Sequence, residues 1–302
     1  MPIDGNWSTS EGILQAADDA CFSAKQEGRN RVHTYRPTNG RIAAYRQDMH
    51  WVRRLEQALD RNQFALYWQR YTSLHDSDGR VHGEILLRLI EDGGRIVPPG
   101  AFLPAAERFH IASRIDRWVV NKVTDWMREN RDGLAHVATV SINLSGLSVG
   151  DPDFQQYVTA LLHDNEFDHQ KICFEITETA AITNLSGASS FILDLHRFGV
   201  RFALDDFGSG AASFGYLRGL PVDYVKIDGQ FTRDLENDGV NQATIRCIVD
   251  IARMTGKLTV AEFVETEQTE RLLREIGVDY SQGYLRHRPA PLDEILTMAS
   301  AS

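Results

Sequence analysis

At 302 residues, with 42% apolar and 25% charged positions, the chain is long enough to bury a sizeable core as one large domain or one large and one small unit, and too apolar for extended disorder. A formal net charge of −10 leaves no basic face to track phosphates, which excludes a general DNA binder; an anionic substrate would need another source of positive potential. Cys21, Cys173 and Cys247 lack any paired or metal-ligand spacing. No apolar run approaches 18 residues and the N-terminus has no signal-peptide layout, so a cytoplasmic protein without membrane contact is expected, any anchor belonging to a longer parent protein.

The first forty residues read as a short extension: a helix from Ser10 to Glu27, with Leu14, Ala17, Cys21 and Ala24 on one side, then a strand in RNRVHTY and a linker in PTNGR. A helix and one strand cannot bury a core alone. A second helix, Asp48 to Arg61, opens the main domain, which is taken as residues 41–302. In VHGEILLRL, Glu84 and Arg88 interrupt an apolar run. From Ile111 to Met127 the residues Ile111, Ile115, Trp118, Val119, Val123, Trp126 and Met127 recur at helical steps.

Beyond residue 134, strand-like and helix-like segments alternate. The strands are AHVATVSINLS, KICFEITET, VRFALDDFG, DYVKIDG and LTVAEFVE. Helices at Ser190–Phe198, Gln242–Thr255 and Thr266–Ile276 each run into a glycine (Gly199, Gly256, Gly277) where a left-handed cap is needed. Strand–helix alternation predicts a parallel sheet, and enough units fit for an α/β barrel of the (β/α)8 type. A doubly wound open sheet is the alternative, but no glycine-rich nucleotide turn marks it.

Polar residues then stand where successive strands end: Asn143, Glu175, Asp205 with Asp206, Lys226, Glu262 and Gln282. In a barrel these converge on one face, and so many carboxylates need a cation; all-oxygen ligands select hard ions such as Mg2+ or Mn2+. Singly, each has a bland alternative. Asn143 could cap a loop, Lys226 could be a structural ion-pair partner, Gln282 alone means little, and adjacent strand residues such as Asp205 and Asp206 would point to opposite sides. The ensemble is what argues for a site. The histidines form no ligand spacing, and Ser209 and Ser213 sit in no nucleophile elbow.

Read together, these blocks resemble the EAL-domain family of bacterial cyclic di-GMP phosphodiesterases. The naming triplet is Glu84-Ile85-Leu86, followed in order by PPGAFLPAAE, SINLS, FEITET, DDFGSGAASFGYL, VDYVKIDG, AEFVET and QGYLRHRPAPL, over roughly residues 45–297. The resemblance implies a TIM-like barrel with one antiparallel strand and hydrolysis of cyclic di-GMP to linear pGpG by a water activated between two Mg2+ or Mn2+ ions. It places Glu84, Asn143, Glu175 and Asp205 on one metal. Asp205 would bridge to a second metal that Asp206 contacts, with Glu262 on or near it. Lys226 would sit by the attacking water, Gln282 would position water or phosphate, Leu86 and Arg88 would meet the substrate, and Glu178 would anchor the loop after Asp206. A homodimer is also implied. Residues 1–40 resemble the C-terminal end of a GGDEF domain without its signature, as in a fragment of a tandem GGDEF–EAL protein.

Three departures stand out. Ile85 replaces the triplet's alanine, Phe263 stands where glycine is usual, and Arg70 and Tyr71 replace a proline and an aliphatic residue. Two rival functions remain at this level: a catalytically silent cyclic di-GMP receptor, and a metal-dependent barrel lyase or enolase-like enzyme.

Overall fold

A computed structural model describes residues 40–75, 79–164, 167–210 and 214–298. The chain divides into two compact units, residues 1–51 and 52–302. In the first, residues 40–51 are helical; the helix expected over Ser10–Glu27 and the strand after it lie outside the described residues. Helix α1 (Gly40–Asp60) begins at Gly40 instead of the expected Asp48. Ala43, Ala44 and Gln47 favour helix and no proline interrupts, so Gly40 and Arg41, expected as linker, are drawn in.

The second unit is a closed barrel. Strand β1 (Phe64–Ser73) makes a hairpin with β2 (Val81–Ile90), paired from Phe64↔Leu89 to Tyr71↔His82. Only residues 74–80 join them, too few for a crossover helix, so this pair must be antiparallel. The sequence then settles into strand–helix repeats, and β4 (Val137–Leu144), β5 (Ile172–Thr177), β6 (Arg201–Phe207), β7 (Tyr224–Ile227), β8 (Leu258–Ala261) and β9 (Tyr280–Gln282) join β2 in parallel order. β9 closes the ring on β1, antiparallel, through Tyr71↔Gln282. Eight strands with one reversed is the barrel expected above. Two short strands, β3 (Ile96–Val97) and β10 (Ala290–Pro291), pair onto β2 and β1.

Helices α2 (Leu103–Arg108), α3 (Ala112–Glu129), α4 (Gly146–Val149), α5 (Pro152–Asp164), α6 (Glu178–Thr183), α7 (Leu185–His196), α8 (Gly239–Met254) and α9 (Glu267–Ile276) complete the unit. Helix α3 buries Ile115, Val119, Val123 and Met127, as its spacing predicts, and Val120 as well. Trp118 and Trp126 lie at the edge of that stripe instead, each indole N–H held by a polar partner, Asn62 and Asp293. All three glycines expected as caps hold left-handed backbone, with φ of 84°, 72° and 98° at Gly199, Gly256 and Gly277. Thr266 starts α9 by accepting the Thr269 N–H, 3.0 Å.

Strand β5 is buried on both faces, as a parallel strand between helices and a filled interior should be. Inside the barrel, Tyr71, Cys173, Ala203, Tyr224 and Val260 pack as a plug with Tyr280 against it. Outside, Phe174, Phe202 and Phe191 stack between sheet and helix. The plug forms a floor, and the polar residues stand above it. None of the described helices is long and apolar enough to cross a membrane.

Candidate active site

Because β2 and β4 to β9 all run the same way, their carboxyl ends open on one mouth. Glu84 points there from β2, Asn143 from β4, Glu175 from β5, Asp205 from β6, Lys226 from β7, Glu262 from the residue after β8, and Gln282 from β9. At the centre is Lys226, almost wholly buried. Its Nζ lies 2.6 Å from Glu175, 2.9 Å from Glu262, 3.1 Å from Asp205 and 3.2 Å from Glu84. Asn143 Nδ2 and Gln282 Nε2 both donate to Glu84, each at 2.7 Å. The expected residues therefore meet, and the lysine expected beside the attacking water sits in the middle of the carboxylates.

One ammonium cannot neutralise this group. Burial alone would push Glu84 up, but Lys226 and the two amide donors outweigh it and hold its carboxyl below the usual range. Glu175 goes the other way: burial, then the charges of Glu84 and Asp205, push it well up despite Lys226. Burial, with Asp205 and Glu84, pushes Glu262 up to about 8. For Lys226 burial opposes the charge, yet the four carboxylates prevail and hold its pKa well above the ordinary value. The cluster is short of positive charge.

Asp205 and Asp206 do not point to opposite sides, as regular strand alternation would require. Asp206 takes left-handed backbone (φ 54°), and the β6–β7 register shifts between Leu204 and Phe207. This bulge turns both carboxylates to the mouth, where Asp205, Asp206 and Glu262 offer oxygens within 4.8 Å of one another. Burial, then Asp205 and Asp228, push Asp206 up to about 6. Asp205 Oδ1, although near Lys226, is buried without a hydrogen bond, as is Gln282 Oε1. Orphaned oxygens, like charges and an all-oxygen donor set fit a hard divalent cation. The turn after Asp206 is held by buried Glu178, which accepts the Gly208 N–H at 3.0 Å and the Tyr216 hydroxyl at 2.5 Å.

Beside the cluster lies a cavity of about 410 Å3 walled by Leu86, Arg88, Pro98, Phe263 and Tyr284, with Glu84, Glu262 and Gln282 at its polar end. Arg88, half-buried there, stacks over the Tyr67 ring at 5.3 Å. Phe263 adopts φ 54°, the region glycine enters most easily, which explains why glycine is usual at this place. Its ring lies over Gly229, where an added Cβ would come within 2.1 Å, and under Arg233 at 4.6 Å. Glu262 still reaches Lys226.

Three residues of this region went unassigned in the sequence reading. Gln69 lines the cavity and pairs across the hairpin with Glu84, a relation visible only once the β1–β2 register is known. Tyr284 and Asp228 lie inside the quoted blocks QGYLRHRPAPL and VDYVKIDG, but no role was assigned to either.

Fold and site together define an α/β barrel whose mouth gathers carboxylates suited to cations beside a pocket with Arg88 on its wall. The chain matches the EAL domain model over residues 52–289 and belongs to that family. It is 41% identical over 283 residues, 94% of this chain and 33% of the relative, to cyclic di-GMP phosphodiesterase PdeB of Shewanella oneidensis. It is 37% identical over 246 residues, 81% of this chain and 32% of the relative, to cyclic di-GMP phosphodiesterase PdeF of Escherichia coli. The chain thus spans about a third of the length of these relatives. Among solved structures it resembles the FimX EAL domain of Pseudomonas aeruginosa bound to c-di-GMP, with TM-score 0.73 and 31% identity over 80% of this chain and 96% of that one.

Proposed function

We propose that this chain hydrolyses one phosphodiester bond of cyclic di-GMP to give linear pGpG. The observation that carries the reading is the mouth itself: Glu84, Glu175, Asp205 and Glu262 around one buried lysine, with Asp206 turned in by a bulge. Glu84, Asn143, Glu175 and Asp205 would hold one Mg2+ or Mn2+, and Asp205, Asp206 and Glu262 a second. When bound, such a pair of ions supplies an acidified water as nucleophile and neutralises phosphoryl charge.

The rest falls to the chain's own groups. Arg88 on the cavity wall meets a substrate phosphate, and Leu86 packs beside it. Gln282 Oε1, buried and unpaired, accepts a hydrogen bond from the attacking water. Lys226 Nζ, kept protonated by its neighbours, faces the negative charge that grows on the phosphoryl oxygens. The water oxygen bonds to phosphorus as the bond to the 3′ oxygen breaks, and the proton that the water gives up ends on that leaving oxygen. Glu178 fixes the turn that carries Asp206. Incubation with cyclic di-GMP and Mg2+ or Mn2+, followed by chromatography, tests the proposal: pGpG is expected, whereas bound but intact substrate identifies a receptor.

A further inference from the structure

The loop from Gly283 to Pro289 joins β9 to β10 and contributes Tyr284 and Pro289 to the cavity wall. It is stitched to β1 at two consecutive residues. Gln69 Nε2 donates to the His287 carbonyl at 2.9 Å, and the Arg70 backbone N–H donates to His287 Nδ1 at 3.2 Å. The second bond has a structural reason. Pairing between β1 and β9 stops at Tyr71↔Gln282, so the Arg70 amide has no strand acceptor and the imidazole supplies one. With Nδ1 accepting, the ring proton must sit on Nε2. The ring is seated on the fully buried Trp68 indole, centroids 4.4 Å apart.

We propose that His287 is a positioning residue of the substrate pocket, its unprotonated Nδ1 latching this loop to β1 and so setting Gln69 in place opposite Glu84. The inference rests on the function proposed above. Protonation converts Nδ1 from acceptor to donor, facing another donor, and the latch opens. The loop's other ties, Leu285 N–H to Val264 O and Arg286 to Glu270, do not depend on the ring, so the change is confined to His287 and Gln69. Burial, then Arg70 on β1, holds the imidazole below its ordinary value, while Glu294 from the segment after β10 opposes them. Arg286 and Arg288 flank it on its own loop, the first held by Glu270 and the second stacked on Tyr284. The latch is therefore closed at neutral pH and opens as pH falls below the ordinary histidine value near 6.5.

Two variants separate the roles. His287→Asn offers Oδ1 where Nδ1 stood and does not titrate; His287→Phe keeps a ring on Trp68 but has no acceptor. KM and kcat for pGpG formation are measured between pH 5.5 and 8, together with the protection of the Arg70 amide against hydrogen exchange. In the parent chain KM is expected to rise roughly fivefold toward pH 5.5, the equivalent of one net hydrogen bond, with Arg70 protection falling in step. With the cation saturating at each pH, His287→Asn should keep Arg70 protection level and lack the part of the KM rise that tracks it, and His287→Phe should have raised KM and low Arg70 protection throughout, with kcat little altered. Superimposable profiles of parent and His287→Asn, or a parent-like KM in His287→Phe, overturn the proposal. If no hydrolysis occurs, the functional reading fails, and Arg70 exchange alone still decides: protection that ignores pH and variant refutes the latch.

Discussion

Replacing Lys226 by Met removes the ammonium that lies 2.6–3.2 Å from Glu84, Glu175, Asp205 and Glu262 while keeping an apolar stem of similar length. Removing one partner of a buried ion pair costs about 3–5 kcal/mol, because the remaining charge is left uncompensated. In a domain of this size that is a drop of roughly 10 °C in melting temperature. The folded pKa of Lys226 is raised, so its contribution is fully present below the unfolded value near 10.5 and is lost only as pH rises through the folded one. The deficit should therefore show at neutral pH. It should narrow toward pH 5, where the variant's carboxylates escape repulsion by taking up protons. Added Mn2+ should stabilise the variant more than the parent, since the cation replaces a charge the variant lacks; at a hundred times the dissociation constant, binding contributes about 2.7 kcal/mol. The assay is thermal unfolding with chelator and with Mn2+. If the chelated variant melts with the parent, or Mn2+ shifts both equally, Lys226 does not neutralise the cluster.

Asp205→Asn should cut turnover by a thousandfold or more, about 4 kcal/mol of transition-state stabilisation, with little change in melting temperature; kinetics and unfolding run on the same sample check this. Because Glu262 is pushed up to about 8, Asp206 to about 6 and Glu175 well above its ordinary value, cation binding at pH 7 should expel one proton or more, and affinity should fall as pH drops from 8 to 6. Calorimetry in two buffers of different ionisation enthalpy reads it, and identical heats in both would refute it. Gly229→Ala drives a methyl into the Phe263 ring and should cost about 1–3 kcal/mol, most of it recovered when Phe263 is also alanine; an additive double-mutant cycle would count against the contact. Glu178→Ala frees Gly208 N–H and the Tyr216 hydroxyl, so protease should cut faster between those residues while the barrel melts nearly as before.

The parallel strands were legible because their carboxyl ends carry polar residues at one β/α spacing after Val, Ile and Phe runs. β1 was not legible from alternation, since both of its faces mix apolar with polar residues: Trp68 is buried outside the barrel beside Arg70, and Tyr71 inside beside Gln69. The convergence of Glu84, Asn143, Glu175, Asp205, Lys226, Glu262 and Gln282 follows from barrel topology and could be read without coordinates. The bulge at Asp206 could not, because strand alternation places neighbouring aspartates on opposite faces and only the backbone at that residue reverses this. Nor could the seat of Phe263, which depends on Gly229 and Arg233 from a different β/α unit.

The most direct test is to incubate the purified chain with cyclic di-GMP, once with Mn2+ and once with chelator, and resolve the products by chromatography. Conversion to linear pGpG with Mn2+, none with chelator, and recovery on re-addition of the ion are expected. Intact cyclic di-GMP with both Mg2+ and Mn2+, alongside measurable binding, would contradict catalysis and leave a receptor.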